Sequence, residues 1–242
     1  MEGMARMRVS YEVTDSIATV TMNDGKVNAF GFEMLAELNE ALDRAESEKA
    51  AFVLTGREGL FSAGFDLAVL TGGGPDTARL LRTGFEFSYR LLSTSSPVVI
   101  ACSGHAFAMA VFVLLSGDYR FGVVDAAHKV TANEVAIGMT MPRAAIEVCR
   151  QRLPQEHMHR VVVLAEVFNP NSAVGTGLLD EVVAAEDLLD AARMKAGELM
   201  SLNHSAFAAT KLRTREAVLP ALRQAMDTDD AELANTPLTA DR

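Results

Sequence analysis

The chain has 242 residues, 49% of them hydrophobic, and a formal net charge of -10. That length allows one large domain with a substantial core, or one domain with a small appendage. The acidic balance argues against a nucleic-acid partner, which would want a basic face, and an anionic substrate would need a locally basic site.

Residues 8–13 and 17–22 are strand-like runs separated by Thr14-Asp15-Ser16, a hairpin signal. The segment 31–46 places Met34, Leu35, Leu38, Ala41, Leu42 and Ala45 at helical spacing, with Glu37, Glu40 and Arg44 opposite. Residues 50–56 are a buried strand, 57–75 a loop, and 77–93 a helix. A second buried strand at 97–104 leads into GHAFAMAVF (104–112), which reads as the start of an uncharged helix. Further strands are expected at 119–124 and 129–133. Pro142 and Pro154 then open helices at 142–153 and 154–168, since proline suits a first helical turn. A last short strand at 178–183 precedes helices at 185–202 and 204–227. Repeated strand–strand–helix units followed by helices predict an α/β or α+β layered domain. The polar stretch 227–242 is expected to fray.

Cys102 and Cys149 sit in apolar runs and are expected to be buried thiols in a reducing compartment. Arg6 and Arg8 have no apolar region behind them, so no leader is expected, and no apolar run approaches the ~20 residues of a membrane span. A cytoplasmic protein is therefore expected.

Several chemistries lack support. Thr71-Gly-Gly-Gly-Pro75 has no following lysine and no dinucleotide frame, so it reads as a surface loop. His157 and His159, two apart, fall on different helix faces and make no metal pair. No Gly-x-Ser-x-Gly elbow occurs, and no Ser-His pair is positioned for a protease. More specific are FSAGFDL (61–67), a small-residue turn after a strand, and GHAFAM some forty residues on. A backbone N–H from each would suit a developing oxyanion, because the first amides of a helix have no internal partner. On pattern alone the plainer reading, two ordinary strand-to-helix turns, is favoured.

The motifs taken together change this. FSAGFDL resembles the F-x-A-G-x-D-[LI] signature of the crotonase family, also called the enoyl-CoA hydratase/isomerase family. In order along the chain, DGKVNAF (24–30), PVVIACSGHAFAM (97–109), NEVAIGMTMP (133–142) and NSAVGTGLLDEVV (171–183) resemble further segments of that family. The resemblance implies an α/β fold of the crotonase type, a spiral of strand–strand–helix units (1–185) with a helical C-terminal region (186–242) for trimerisation or lid formation. It implies a homotrimer or hexamer that binds an acyl-CoA thioester, with coenzyme A as part of the substrate and no separate cofactor or metal.

Carried over residue by residue, the resemblance assigns the two oxyanion donors to the backbone N–H groups of Phe65 and Met109. The second donor is usually a glycine in a glycine run; here Ala108-Met109-Ala110 stands there. Side chains at these positions narrow the pocket and disfavour glycine-only backbone angles. Family hydratases use two glutamates. The first position is Phe112 here; the second is Glu134. One carboxylate suffices for a 1,3-proton shift, which favours isomerisation of an enoyl-CoA, with water addition to a 2-enoyl-CoA as the alternative. The plain alternative for Glu134 is a surface carboxylate. The CoA moiety is expected against the backbone of Lys26, Val27, Ala29, Ala63, Asp66 and Leu67, with Lys26 or, more weakly, Lys211 meeting a phosphate; both lysines could equally be solvated. The acyl tail is expected to meet Phe65, Met109, Phe112 and Met139. Two other readings are a different reaction through the same enolate, such as thioester hydrolysis or decarboxylation, and a member that binds acyl-CoA without turnover.

Overall fold

The computed structural model describes residues 7–233. Strands β1 (Val9–Thr14) and β2 (Ile17–Met22) pair antiparallel, with Thr14 opposite Ile17. Asp15 and Ser16 take φ of 51° and 59°, the left-handed pair that a two-residue hairpin loop requires. Helix α1 (Phe32–Ser47) buries the six apolar positions named above. Strand β3 (Ala51–Thr55) then runs parallel to β2.

The expected loop at 57–75 holds more structure than its sequence suggests. It contains strand β4 (Gly59–Ser62) and the short helix α2 (Leu67–Gly72), and helix α3 (Gly74–Ser93) begins inside the glycine run. Asp66 caps α2 by accepting from the Ala68 N–H at 2.9 Å. After β5 (Val98–Cys102), the stretch expected to start a helix is first a strand, β6 (Gly104–Phe107). The helix α4 begins only at Met109 (Met109–Leu115). An uncharged apolar run satisfies the burial needs of either element, so periodicity alone does not place the boundary.

Next come β7 (Tyr119–Val123), β8 (Val130–Thr131), α5 (Arg143–Arg150) and α6 (Gln155–Met158), which widens into a π-type turn over His159–Val163. The helix expected through 168 stops there because Phe168 turns back to exchange both backbone hydrogen bonds with Val130, at 2.8 and 3.0 Å. Then follow α7 (Pro170–Thr176), β9 (Glu181–Val183), α8 (Leu188–Met200), α9 (His204–Thr214) and α10 (Val218–Leu233). The single helix expected at 204–227 is thus two. The part of the polar tail up to Leu233 is helical, and the rest lies outside the described residues.

A six-stranded sheet runs β1-β2-β3-β5-β7-β9 and a three-stranded sheet β4-β6-β8. Beyond the first hairpin the pairings between these strands are parallel. Three successive turns of chain each give one strand to the large sheet and the next to the small one. Helix α8 covers one face of the large sheet, where Ala192 and Ala196 meet Val53, Val99 and Ala101. The other face points into the main core with Phe52, Leu54 and Ile100. Helix α10 packs across α3 and α5 through Leu222, Ala225 and Met226. Arg82 ties α3 to it at 2.7 Å from Asp227 and 2.8 Å from Asp230. Both cysteines are buried and free, and burial pushes the Cys102 thiol up to about 12.

Candidate functional site

The small sheet determines where the site falls. Parallel pairing sets Ser62 beside Ala106 and Phe107 beside Thr131. Phe65 lies three residues past the end of β4, Met109 two past β6, and Glu134 three past β8. Parallel strands end on the same edge, so three loops from distant parts of the chain open side by side.

Gly64 sits between the first two. It has φ +93°, and a Cβ there would stand 2.8 Å from the Phe107 carbonyl oxygen, 2.9 Å from the Ala108 Cβ and 3.4 Å from the Met109 nitrogen. The Gly64 carbonyl accepts from the Phe30 N–H at 2.8 Å, and the Asp66 N–H donates to the Phe30 carbonyl at 3.3 Å. That leaves the Phe65 N–H, between them, and the first N–H of α4, Met109, with no acceptor among the described residues. Ala108 has φ 50° and ψ -121°, a conformation at home in glycine. The alanine at this position therefore adopts the glycine-type angle rather than avoiding it. Such strain costs of order 1–3 kcal/mol and persists where the surroundings over-determine it. Ala108→Gly is accordingly expected to raise stability by about 1 kcal/mol, net of glycine's own ~0.5–1 kcal/mol entropic cost. Thermal unfolding should then shift upward by roughly 2–4 °C. An unchanged or lower midpoint would mean that the strain lies elsewhere.

A cavity of about 100 Å³ adjoins these loops, lined in part by Phe65, Phe112, Glu134 and Met139. Glu134 is only 5% exposed, which removes the reading of it as a surface carboxylate. Its Oε2 has no hydrogen-bond partner among the described residues, and burial pushes its pKa up to about 7. The rings of Phe65, Phe85 and Phe112 form a wall, with centroids 6.1 and 5.8 Å apart. Met109 differs from expectation: its side chain does not line the cavity. It is fully buried, with its methyl group directed at Gly84 of α3.

A wider groove of about 760 Å³ shares Ala63, Phe65 and Leu67 with the cavity and extends to Lys26, Val27, Ala29 and Asp66. The two loops flanking it are braced on each other. Buried Asn28 donates from Nδ2 to the carbonyls of Met22 (3.0 Å) and Phe61 (3.1 Å), and Ser62 Oγ donates to the Asn28 carbonyl at 2.7 Å. Asp24 collects the amides of Lys26, Asn28 and Ala29. The Ala63 N–H is spent on the Val27 carbonyl at 3.0 Å. Much of the backbone expected to meet a ligand is thus committed internally, while the Ala63 carbonyl and the N–H groups of Val27 and Leu67 have no partner among the described residues. Lys26 is exposed and enters no ion pair among the described residues.

Lys211 is a clear correction. Its ammonium is buried, 2.7 Å from Asp118 and 3.1 Å from the Ser96 carbonyl, in a network that also holds Arg215. Burial pulls its pKa down to about 8. A lysine fixed in this way ties α9 to the start of β5 and is not offered to a phosphate. Asn28, Gly84 and Asn133 escaped the sequence reading. Asn28 and Asn133 lie inside motifs named above, whereas nothing local marks Gly84, where a Cβ would fall 2.4 Å from the Phe65 ring.

Among the described residues no cluster of three or more His, Cys, Asp or Glu side chains has metal-site geometry, and no helix is long and apolar enough to cross a membrane.

Comparison with known proteins agrees with this fold. A solved enoyl-CoA isomerase from Mycobacterium tuberculosis superposes with a TM-score of 0.90 at 44% identity, over 93% of this chain and 99% of that one. A solved enoyl-CoA hydratase from Mycobacterium marinum superposes with a TM-score of 0.90 at 45% identity, over 93% and 99%. The human mitochondrial enoyl-CoA delta isomerase 1 is 27% identical over 231 residues, covering 94% of this chain and 76% of that protein. The family model described as enoyl-CoA hydratase/isomerase matches residues 12–242, and the chain belongs to that family.

Proposed function

We propose that this protein moves the double bond of an enoyl-CoA between the 3- and 2-positions, with Glu134 as the single proton carrier. The observation that carries the reading is one buried carboxylate, its Oε2 without a partner among the described residues, in a largely apolar cavity whose lining includes Phe65, Phe85 and Phe112. The Glu134 carboxylate takes a proton from C2 of a 3-enoyl thioester. The electron pair moves onto the thioester oxygen, where the N–H groups of Phe65 and Met109 receive it. The dienolate then takes the proton back from Glu134 at C4, leaving the double bond at C2–C3. An oxyanion donor is typically worth about 3 kcal/mol and a placed base about 10²–10⁴ in rate. A carboxylate whose pKa burial brings to about 7 is poised near a neutral working pH for both halves of the transfer.

Coenzyme A enters as part of the substrate, and no separate cofactor is needed. Its phosphates would find Lys26 at the groove, and its pantetheine the free Ala63 carbonyl. The enzyme is inferred to work in the cytoplasm as a trimer or a pair of trimers, and the exposed Met194, Leu202 and Leu212 on α8 and α9 and between them suit such contacts.

One observation favours water addition as a second reading. Asn133 Oδ1 is a further buried acceptor without a partner, and Asn133 lines the same cavity as Glu134. Two such acceptors suit a bound water. Incubation with 3-enoyl-CoA and, separately, 2-enoyl-CoA, followed by chromatography and mass, decides between the readings. An isomer of unchanged mass is expected. A product heavier by one water would assign the pocket to hydration, and binding without turnover would point to a non-catalytic member.

A further inference from the structure

The cavity beside Glu134 is small, and its ends differ. The outer rim is Leu67 and Ile137, 59% and 43% exposed. The inner end is Leu81, Phe85 and Phe112, each no more than 4% exposed. An apolar cavity of about 150 Å³ takes a benzene molecule, so about 100 Å³ has room for roughly four carbons.

The inner end is also braced from behind. Leu81 and Phe85 belong to α3, against which α10 packs. Arg82, between them in sequence, is held by Asp227 and Asp230 of α10. On the other side Arg143, at the start of α5, reaches Asp229 of α10 at 3.2 Å. Helix α10 therefore contacts both α3 and α5, so displacing either helix would disturb its contacts with α10. Close-packed interiors also resist local rearrangement.

We infer that this protein selects short-chain acyl thioesters, of about four to six carbons, with Phe85 and Leu81 setting the limit. The inference rests on the reading of the cavity as the acyl site. Up to the limit, each added methylene gains the burial of its surface, about fourfold in affinity. Beyond it, an added methylene finds no space and gains nothing.

Two series on the intact protein test this. The first measures binding of saturated acyl-CoAs of four to twelve carbons by calorimetry, and the second kcat/KM for 3-enoyl-CoAs of the same lengths. Affinity is expected to climb to about six carbons and then level or fall, and kcat/KM to drop at least tenfold by ten carbons. Phe85→Leu and Leu81→Ala are each expected to move both optima to longer chains. A steady rise in affinity through twelve carbons would overturn the inference, as would optima that stay fixed in both variants. Should no length be isomerised while binding still peaks at short chains, the length limit stands and the isomerase reading fails.

Discussion

Glu134→Gln is expected to lower kcat by at least about 10²–10⁴-fold while changing the affinity for a saturated acyl-CoA only slightly, because the amide keeps the shape but carries no proton between carbons. The wild-type pH profile follows from the same burial. The base must be ionised to begin, and its pKa in the free protein is about 7. Thus kcat/KM should rise about tenfold per pH unit below 7 and level above it. The substitution should also stabilise the fold at alkaline pH. In the unfolded chain Glu134 loses its proton near its ordinary 4.5, whereas the folded protein holds it up to about 7. Between those values the native state binds the extra proton, so wild-type stability falls as pH rises, by about 3 kcal/mol in all, and is constant above. At pH 8 the Gln variant avoids that loss, and at pH 4 it has no advantage. Denaturant unfolding at both pH values measures the difference. Equal wild-type and variant stability at pH 8, or a flat kcat/KM from pH 5.5 to 8.5, would remove Glu134 from the role of buried base.

Gly64→Ala is expected to reduce kcat on the order of 10²-fold with the protein still folded, since a displacement of about 1 Å in a reacting geometry costs that much. The new Cβ would meet the Phe107 carbonyl at 2.8 Å and the Ala108 Cβ at 2.9 Å, on a backbone whose φ of +93° already disfavours a side chain. Relief requires the loops carrying the Phe65 and Met109 amides to separate. Adding Ala108→Gly removes one of the two collisions, so the double variant should recover part of the loss. The carbonyl contact remains, so recovery should be incomplete. Steady-state kinetics on both variants, with circular dichroism to confirm folding, make the comparison. Wild-type activity in Gly64→Ala would mean that the spacing of the two amides does not matter to the reaction.

The strand–strand–helix repeats were legible in the sequence because each buried strand is a short apolar run and α1 carries a clean helical period. The C-terminal helices were legible apart from the break after Thr214. Of the small sheet only β8 was legible, as the strand expected at 129–133. β4 has four residues, too few for any period, and β6 is indistinguishable from the helix that follows it. The site residues were found through ordered motifs rather than local pattern. Glu134 has no sequence feature that announces its burial, and its raised pKa arises from elements far away in the chain. Lys211 was misplaced for the converse reason. A lysine on a polar helix is usually solvated, and only the fold brings Asp118, Ser96 and Arg215 around it.

The three groups at the site are indexed to the ends of paired strands and not to the lengths of the segments between them. Those intervening segments are free to lengthen, shorten or be exchanged over evolutionary time while the chemistry stays in place. The strands have no such freedom. A single residue gained or lost within two-residue β8 would shift its register against β6 and displace the loop that follows it. Such a shift would carry Glu134 out of step with the amides of Phe65 and Met109 on the neighbouring loops.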